Sequence, residues 1–194
     1  MDIDYNERVK SNEMEECTSC APNWMSTGWL SSPYTWFFLI FTGLIIFVSV
    51  YFSDYSSEWY YSLNKPPGLV PPYAFSIVWG VLYALIIIAI IMVAWPPNRP
   101  CIGSITFMYV AILLLMLLWI LMFNQFHQLI GSAVVLVLVL ILVVFFIWLI
   151  WPRNDVECKK RNWFLAYFPP IVFILLALWL VVASYYAIYF AVVN

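Results

Sequence analysis

Apolar residues in this chain gather into long unbroken runs rather than into stripes. Five can be cut out, Tyr34 to Phe52, Tyr73 to Trp95, Ile105 to Phe123, Ser132 to Trp151 and Phe168 to Val193, with short polar or proline-rich connections between them. Each is close to the ~20 residues that an α-helix needs to cross the ~30 Å hydrocarbon core of a bilayer. None alternates strictly between apolar and polar positions, which disfavours a lipid-facing barrel. The pattern predicts an all-α integral membrane protein, a five-transmembrane-helix bundle over residues 34–194, with helices at about 34–52, 73–95, 105–123, 132–151 and 168–193. Ahead of it, residues 1–33 carry Asp2, Asp4, Glu7, Glu13, Glu15 and Glu16 and read as an acidic disordered tail. The tail lacks the basic start and apolar core of a signal peptide, so the first span is expected to serve as an uncleaved anchor.

Composition removes the soluble alternative. Hydrophobic residues make up 65% of the chain, charged residues 9%, and mean hydropathy is +0.94. A net charge of −2 with so few basic residues gives no footprint for nucleic acid. Arg8, Lys10, Arg99, Arg153, Lys159, Lys160 and Arg161 fall on the side of the tail and the second and fourth connections, and only Lys65 falls on the other. By the positive-inside tendency the tail faces the cytosol, while the proline-rich first connection and the C-terminus face away. Cys17, Cys20, Cys101 and Cys158 share the tail's side. Topology would allow them a four-thiolate zinc site, but a single C-x-x-C is a weak signal, and reduced thiols are the expected state.

Between the first two spans lies Trp59 to Tyr83, where charge, four prolines and a dense set of rings meet. Pro66, Pro67, Pro71 and Pro72 lack backbone donors and push their predecessors towards extended conformations, so Lys65 to Pro72 reads as a stiff loop. From Tyr73 the breakers stop. Phe75, Trp79 and Tyr83 then recur at i, i+4, i+8, which places three rings on one helical face. Trp119 and Phe123 repeat the spacing in the third span, with Met116 on the same side. In the fifth span Trp179, Ala183 and Tyr186 align, and the small Ala183 leaves room for a ligand or for a neighbouring helix. Aromatics are 20% of the chain, so such a face reads either as ligand lining or as helix packing.

The chemistry that is missing narrows the function. No Asp, Glu, Lys or Arg occurs from Cys101 to Trp151 or inside any span, which disfavours ion-coupled transport and proton pumping. No nucleophile with a base and an orienting group can be assembled, and no phosphate-cradling glycine loop occurs, so catalysis is not expected. The single histidine, His127, reads as an interfacial side chain at a helix end rather than a haem ligand.

The stretch Trp59 to Tyr83 resembles the translocator-protein family, the tryptophan-rich sensory proteins that include the peripheral benzodiazepine receptor. The family pattern runs approximately W-Y-x-x-L-x-K-P-x-W-x-P-P-x-W-x-F-x-x-V-W-x-x-L-Y. Trp59, Tyr60, Leu63, Lys65, Pro66, Pro71, Phe75, Val78, Trp79, Leu82 and Tyr83 match it without a gap. Downstream, Leu115, Trp119 and Phe123 match the third-helix pattern L-N-x-x-W and its aromatic run. Trp179, Ala183, Ser184 and Tyr185 match the fifth-helix pattern W-x-x-x-A-[ST]-Y. Four positions depart: Gly68 stands at a loop tryptophan, Val70 at a proline, Tyr73 at a tryptophan and Met116 at the third-helix asparagine. The family's proposed cholesterol-contact segment is incomplete, because nothing basic follows Tyr189.

This resemblance implies a five-helix bundle, often a homodimer, whose cavity is capped by the first loop and takes porphyrins, sterols or drug-like aromatics. Tyr73, Trp79, Tyr83, Trp119, Phe123, Trp179 and Ala183 are then expected to bind the ligand, with Lys65, Pro66 and Pro71 in the lid. Porphyrin or haem enters as ligand rather than cofactor, and no metal site is expected. Membrane lipid and a hydrophobic small molecule are the implied partners, and the mitochondrial outer membrane or a secretory-pathway membrane the implied address. Two rival readings stand beside it. One is a structural or partner-binding membrane protein without a working pocket, using the tail and Lys159 to Arg161. The other is the light-dependent porphyrin breakdown associated with some family members, from which the glycine at a loop tryptophan position sets this chain apart.

Overall fold

The computed structural model describes residues 33–53, 57–94, 102–151 and 163–194. The acidic tail, the four cysteines and the basic cluster Arg153 to Arg161 lie outside the described residues. In chain order the helices are α1 (Pro33–Phe52), a short α2 (Glu58–Ser62), α3 (Pro72–Ala94), α4 (Ile102–Ile120), α5 (Leu129–Ile150) and α6 (Trp163–Val193). Five of them are long and apolar enough to cross a bilayer, and α4 reaches that length together with a π-helical turn, Leu121–Gln125. The spans are those the apolar runs predict.

Three helix starts differ from the sequence reading. The third, fourth and fifth spans begin at Ile102, Leu129 and Trp163, each several residues before the expected 105, 132 and 168. In hydrocarbon every backbone group needs an internal partner, so a helix continues through glycines and serines that would end it in water. Hence Gly103, Ser104 and Gly131 lie inside helices. The same holds for Pro169 and Pro170, which sit buried within α6 about two turns after its start rather than opening it. Pro72, by contrast, occupies the first position of α3, where its missing N–H costs nothing.

The helices close a ring in the order α1, α3, α6, α5, α4, each packed on the next and α4 returning to α1. Inward faces follow helical periods: Phe173, Leu176, Leu180, Ala183, Ala187 and Phe190 on α6, and Val139, Val143, Phe146 and Ile150 on α5 are all buried. On α1 the buried stripe is largely polar, with Thr35, Thr42 and Ser49 alternating with Phe38 and Ile45. Successive spans run in opposite directions, so α1, α4 and α6 start at the end where α3 and α5 finish, and α1 and α4, which close the ring, run parallel. Phe38, Tyr109, Phe146 and Phe173 therefore meet at the tail's end, leaving the other end to the first connection.

At that first end, rings link helices across the bundle. Phe38 meets Tyr109 edge-on at 5.2 Å, Tyr109 lies 6.3 Å from Phe146, and Phe146 meets Phe173 edge-on at 4.7 Å. One buried hydrogen bond crosses the same layer, Thr42 Oγ1 to Tyr109 Oη at 2.8 Å. Lipid tails are as apolar as leucine, so such packing and polar contacts, rather than escape from water, hold the helices together.

Two outcomes follow for unfolding measured in detergent. Phe146→Ala, at a fully buried position, should destabilise by about 3–5 kcal/mol, whereas Phe145→Ala next to it, 50% exposed, should change stability by less than about 1 kcal/mol. A double-mutant cycle of Thr42→Val and Tyr109→Phe should return a coupling of about 0.6 kcal/mol; zero coupling would show that this bond does not tie α1 to α4.

Candidate functional site

The end opposite the tail is built by the first connection. Ser57 Oγ accepts from the Tyr60 N–H at 3.3 Å and starts α2, a helix too short to persist without tertiary support. That support is aromatic. Trp59 meets Phe123 edge-on at 5.3 Å and stacks on His127 at 4.1 Å, while Tyr60 packs with Phe123 and Phe190. Burial pushes the Tyr60 phenol above its ordinary range, with Tyr61 adding to the effect. The Lys65 ammonium lies over both phenols, 4.9 Å from the Tyr60 ring and 4.7 Å from that of Tyr61. His127 thus sits at the exposed rim, where the sequence places it.

His127 is where it is because α4 does not end as an α-helix. Phe126 N–H donates to Leu121 O at 3.0 Å, five residues back, and Gln128 N–H to Met122 O at 2.9 Å. His127 itself adopts φ 54°, the left-handed turn that reverses the chain into α5. The wide turn brings Phe123 to the inside of the bundle and leaves Asn124 buried behind it.

Past α2, Leu69 N–H donates to Pro66 O at 3.2 Å across a turn in which Gly68 has φ 77°. This folds Leu69 and Val70 inward over an apolar cavity of about 50 Å³. Its walls are aromatic: Tyr60 from α2, Phe75 from α3, Trp119 and Phe123 from the end of α4, and Tyr186 and Phe190 from α6. Between the rings of α6, Ala183 and Ala187 supply the space, and Pro72 completes the mouth.

A second layer of rings stands behind the first. Phe75 lies 5.4 Å from Trp179 and 6.2 Å from Trp79, and Trp79 stacks on Trp119 at 6.0 Å and tilts towards Tyr83 at 5.5 Å. The indole N–H groups of Trp79, Trp119 and Trp179 are buried with no hydrogen-bond partner, as is Ser184 Oγ. Unpaired donors in so apolar a setting are costly, and oxygen acceptors would relieve that cost.

Of the residues singled out by sequence, Trp119, Phe123 and Ala183 line the cavity. Trp79, Tyr83 and Trp179 belong to the ring layer behind it. Tyr73 follows Pro72 in the first turn of α3, is 72% exposed, and does not line the cavity. In the loop, Pro66 is buried and Lys65 and Pro71 are exposed, while the side chains over the cavity are Leu69, Val70 and Pro72. Met116, at the family's asparagine position, lies fully buried in the core and outside the cavity wall. Tyr60, Ala187 and Phe190 are wall residues that sequence reasoning passed over. For α6 a signal exists, because Ala183, Tyr186, Ala187 and Phe190 fall at i, i+3, i+4, i+7.

Comparison with curated proteins gives no match. Comparison with family models does: the TspO/MBR family matches residues 36–193, which takes in the first connection and nearly the whole of all five spans. This chain is a multi-pass membrane protein that belongs to the TspO/MBR family.

Proposed function

We propose that the protein binds a flat, hydrophobic small molecule, a tetrapyrrole or a sterol, in the aromatic cavity beneath its first connection. The observation that carries this reading is the convergence of six rings from four helices on one space roofed by Leu69 and Val70. Stacked rings suit a conjugated ligand, each good pair adding roughly 0.5–1.5 kcal/mol beyond area burial. The buried indole donors suit one that also carries oxygen acceptors, such as the carboxylates of a porphyrin. Binding rather than chemical conversion is proposed, because the charged and imidazole groups among the described residues, Glu58, Lys65 and His127, are exposed on the connections and do not line the cavity. Pairing of two copies in a mitochondrial outer or secretory-pathway membrane belongs to the same reading, and cross-linking in native membranes tests it.

Size sets a condition. At about 50 Å³ the cavity has room for one or two waters, whereas drug-sized ligands occupy several hundred Å³. Occupancy therefore requires the roof to lift and Leu69 and Val70 to leave the space. The same small volume is the observation that favours the rival reading, a partner-binding protein whose site stays closed.

Titration of the detergent-solubilised protein with a porphyrin should quench tryptophan fluorescence saturably. Ala183→Leu, which fills the gap between the α6 rings, should weaken binding by about tenfold or more, while Ile77→Ala on the exposed face of α3 should leave it unchanged. Equal affinity for wild type and Ala183→Leu would remove the cavity as the site. If no porphyrin or sterol binds, and recovery of a protein partner is lost on deleting residues 1–30, the rival reading stands instead.

A further inference from the structure

The roof of the cavity has little structure of its own. Between α2 and α3 the backbone hydrogen bond it makes to itself is Leu69 N–H to Pro66 O. Its four prolines make it stiff, yet stiffness alone does not fix where it rests. One side chain of α6 and one just beyond it do. Asn194, just past the end of that helix, accepts from the Asn64 N–H through Oδ1 at 2.7 Å and donates through Nδ2 towards Asn64 O at 3.4 Å. A primary amide thus pairs with both backbone groups of one residue, as a residue on a neighbouring antiparallel strand would. Its position is fixed in turn by Phe190, whose carbonyl accepts from the Asn194 backbone N–H at 3.2 Å and from Nδ2 at 3.3 Å.

The second fastening is Tyr186, whose hydroxyl donates to Gly68 O at 3.1 Å while its ring lines the cavity. Gly68 presents that carbonyl because its φ of 77° turns the peptide, a conformation strained for any residue with a Cβ. Eight residues along α6 separate the two fastenings, about 12 Å at the helical rise. They grip the roof at either end of Lys65, Pro66 and Pro67, with Phe190 between them in the wall below. All three bonds between roof and α6 are solvent-exposed and uncharged, and such bonds are individually weak. At its other end the roof is rooted through Tyr60, a buried ring. The weak points and the firm point are therefore at different places on one short segment.

We propose that Tyr186 and Asn194 form a clasp that holds the first connection shut over the cavity and sets how often it lifts, with the buried Tyr60 as its hinge. The clasp stands on this geometry; its consequence for ligand admission rests on the function proposed above.

The test reads the roof directly. In the full chain with its native cysteines replaced by serine, in nanodiscs, Leu69→Cys places a thiol under the roof, Tyr73→Cys one in the open and Leu136→Cys one in the core. Maleimide labelling at position 69 should accelerate about tenfold or more when Tyr186→Phe and Asn194→Ala are combined, with labelling at 73 and 136 unchanged. An unchanged rate at 69 overturns the clasp, and so does an equal acceleration at 136, which would mean that the bundle as a whole had loosened. Porphyrin quenching run on the same proteins separates the two claims. Faster labelling with faster porphyrin association supports both. Faster labelling with no porphyrin binding to either protein supports the clasp and removes the ligand.

Discussion

A helix surrounded by hydrocarbon gains nothing by hiding a leucine from its solvent, and this bundle is shaped by that constraint. What remains to bring helices together is the fit of side chains and the pairing of the few polar groups. The interior shows both. Phe38, Tyr109, Phe146 and Phe173 interlock across α1, α4, α5 and α6, and the buried polar contact of that layer, Thr42 with Tyr109, joins the two helices that close the ring. At the opposite end the same economy fails, because rings converge around two alanines and space is left over.

That constraint also explains what could be read from the sequence. Span number and approximate extent follow from run length, since nothing but a helix can carry so many apolar residues through a bilayer. Which face of each helix looks inward does not follow, because lipid and protein interior ask for the same residues. Phe145 and Phe146 are chemically identical neighbours, one half exposed and one fully buried. A legible sign went unused on α1, where Thr35, Thr42 and Ser49 mark the inward stripe at intervals of seven, as polar side chains in a bilayer do. Helix starts were misplaced for the opposite reason: Gly103, Gly131 and Pro169 carry their aqueous meaning as breakers only where water can take the freed backbone groups.

The site divides along similar lines. Helical spacing and the family pattern brought Trp119, Phe123 and Ala183 together, and Trp79 and Trp179 to within one ring of the cavity. Spacing cannot tell a wall from the layer behind it, since both lie on one face of their helices. The roof was harder still. Leu69 and Val70 point inward because Gly68 is turned, and Gly68 is held by Tyr186, 118 residues away in sequence. Tyr73 belongs to the same lesson: a ring at the first turn of a helix has no helical face behind it to decide its direction.

The π-helical turn at Leu121–Gln125 makes the cavity depend on a count as well as on chemistry. Its i→i+5 bonds accommodate one residue more than an α-turn of the same length, and Phe123 and His127 take their positions from that surplus. Removing Leu121 or Met122, which precede both ring partners of Trp59, would return the segment to α-helix and rotate everything downstream by about 100° relative to α4. Trp59 would then lose both of its ring partners at once, though neither had been changed. Lipid does not distinguish leucine from valine or isoleucine on the outer faces, but the packing of Trp59 depends on the number of residues in this turn.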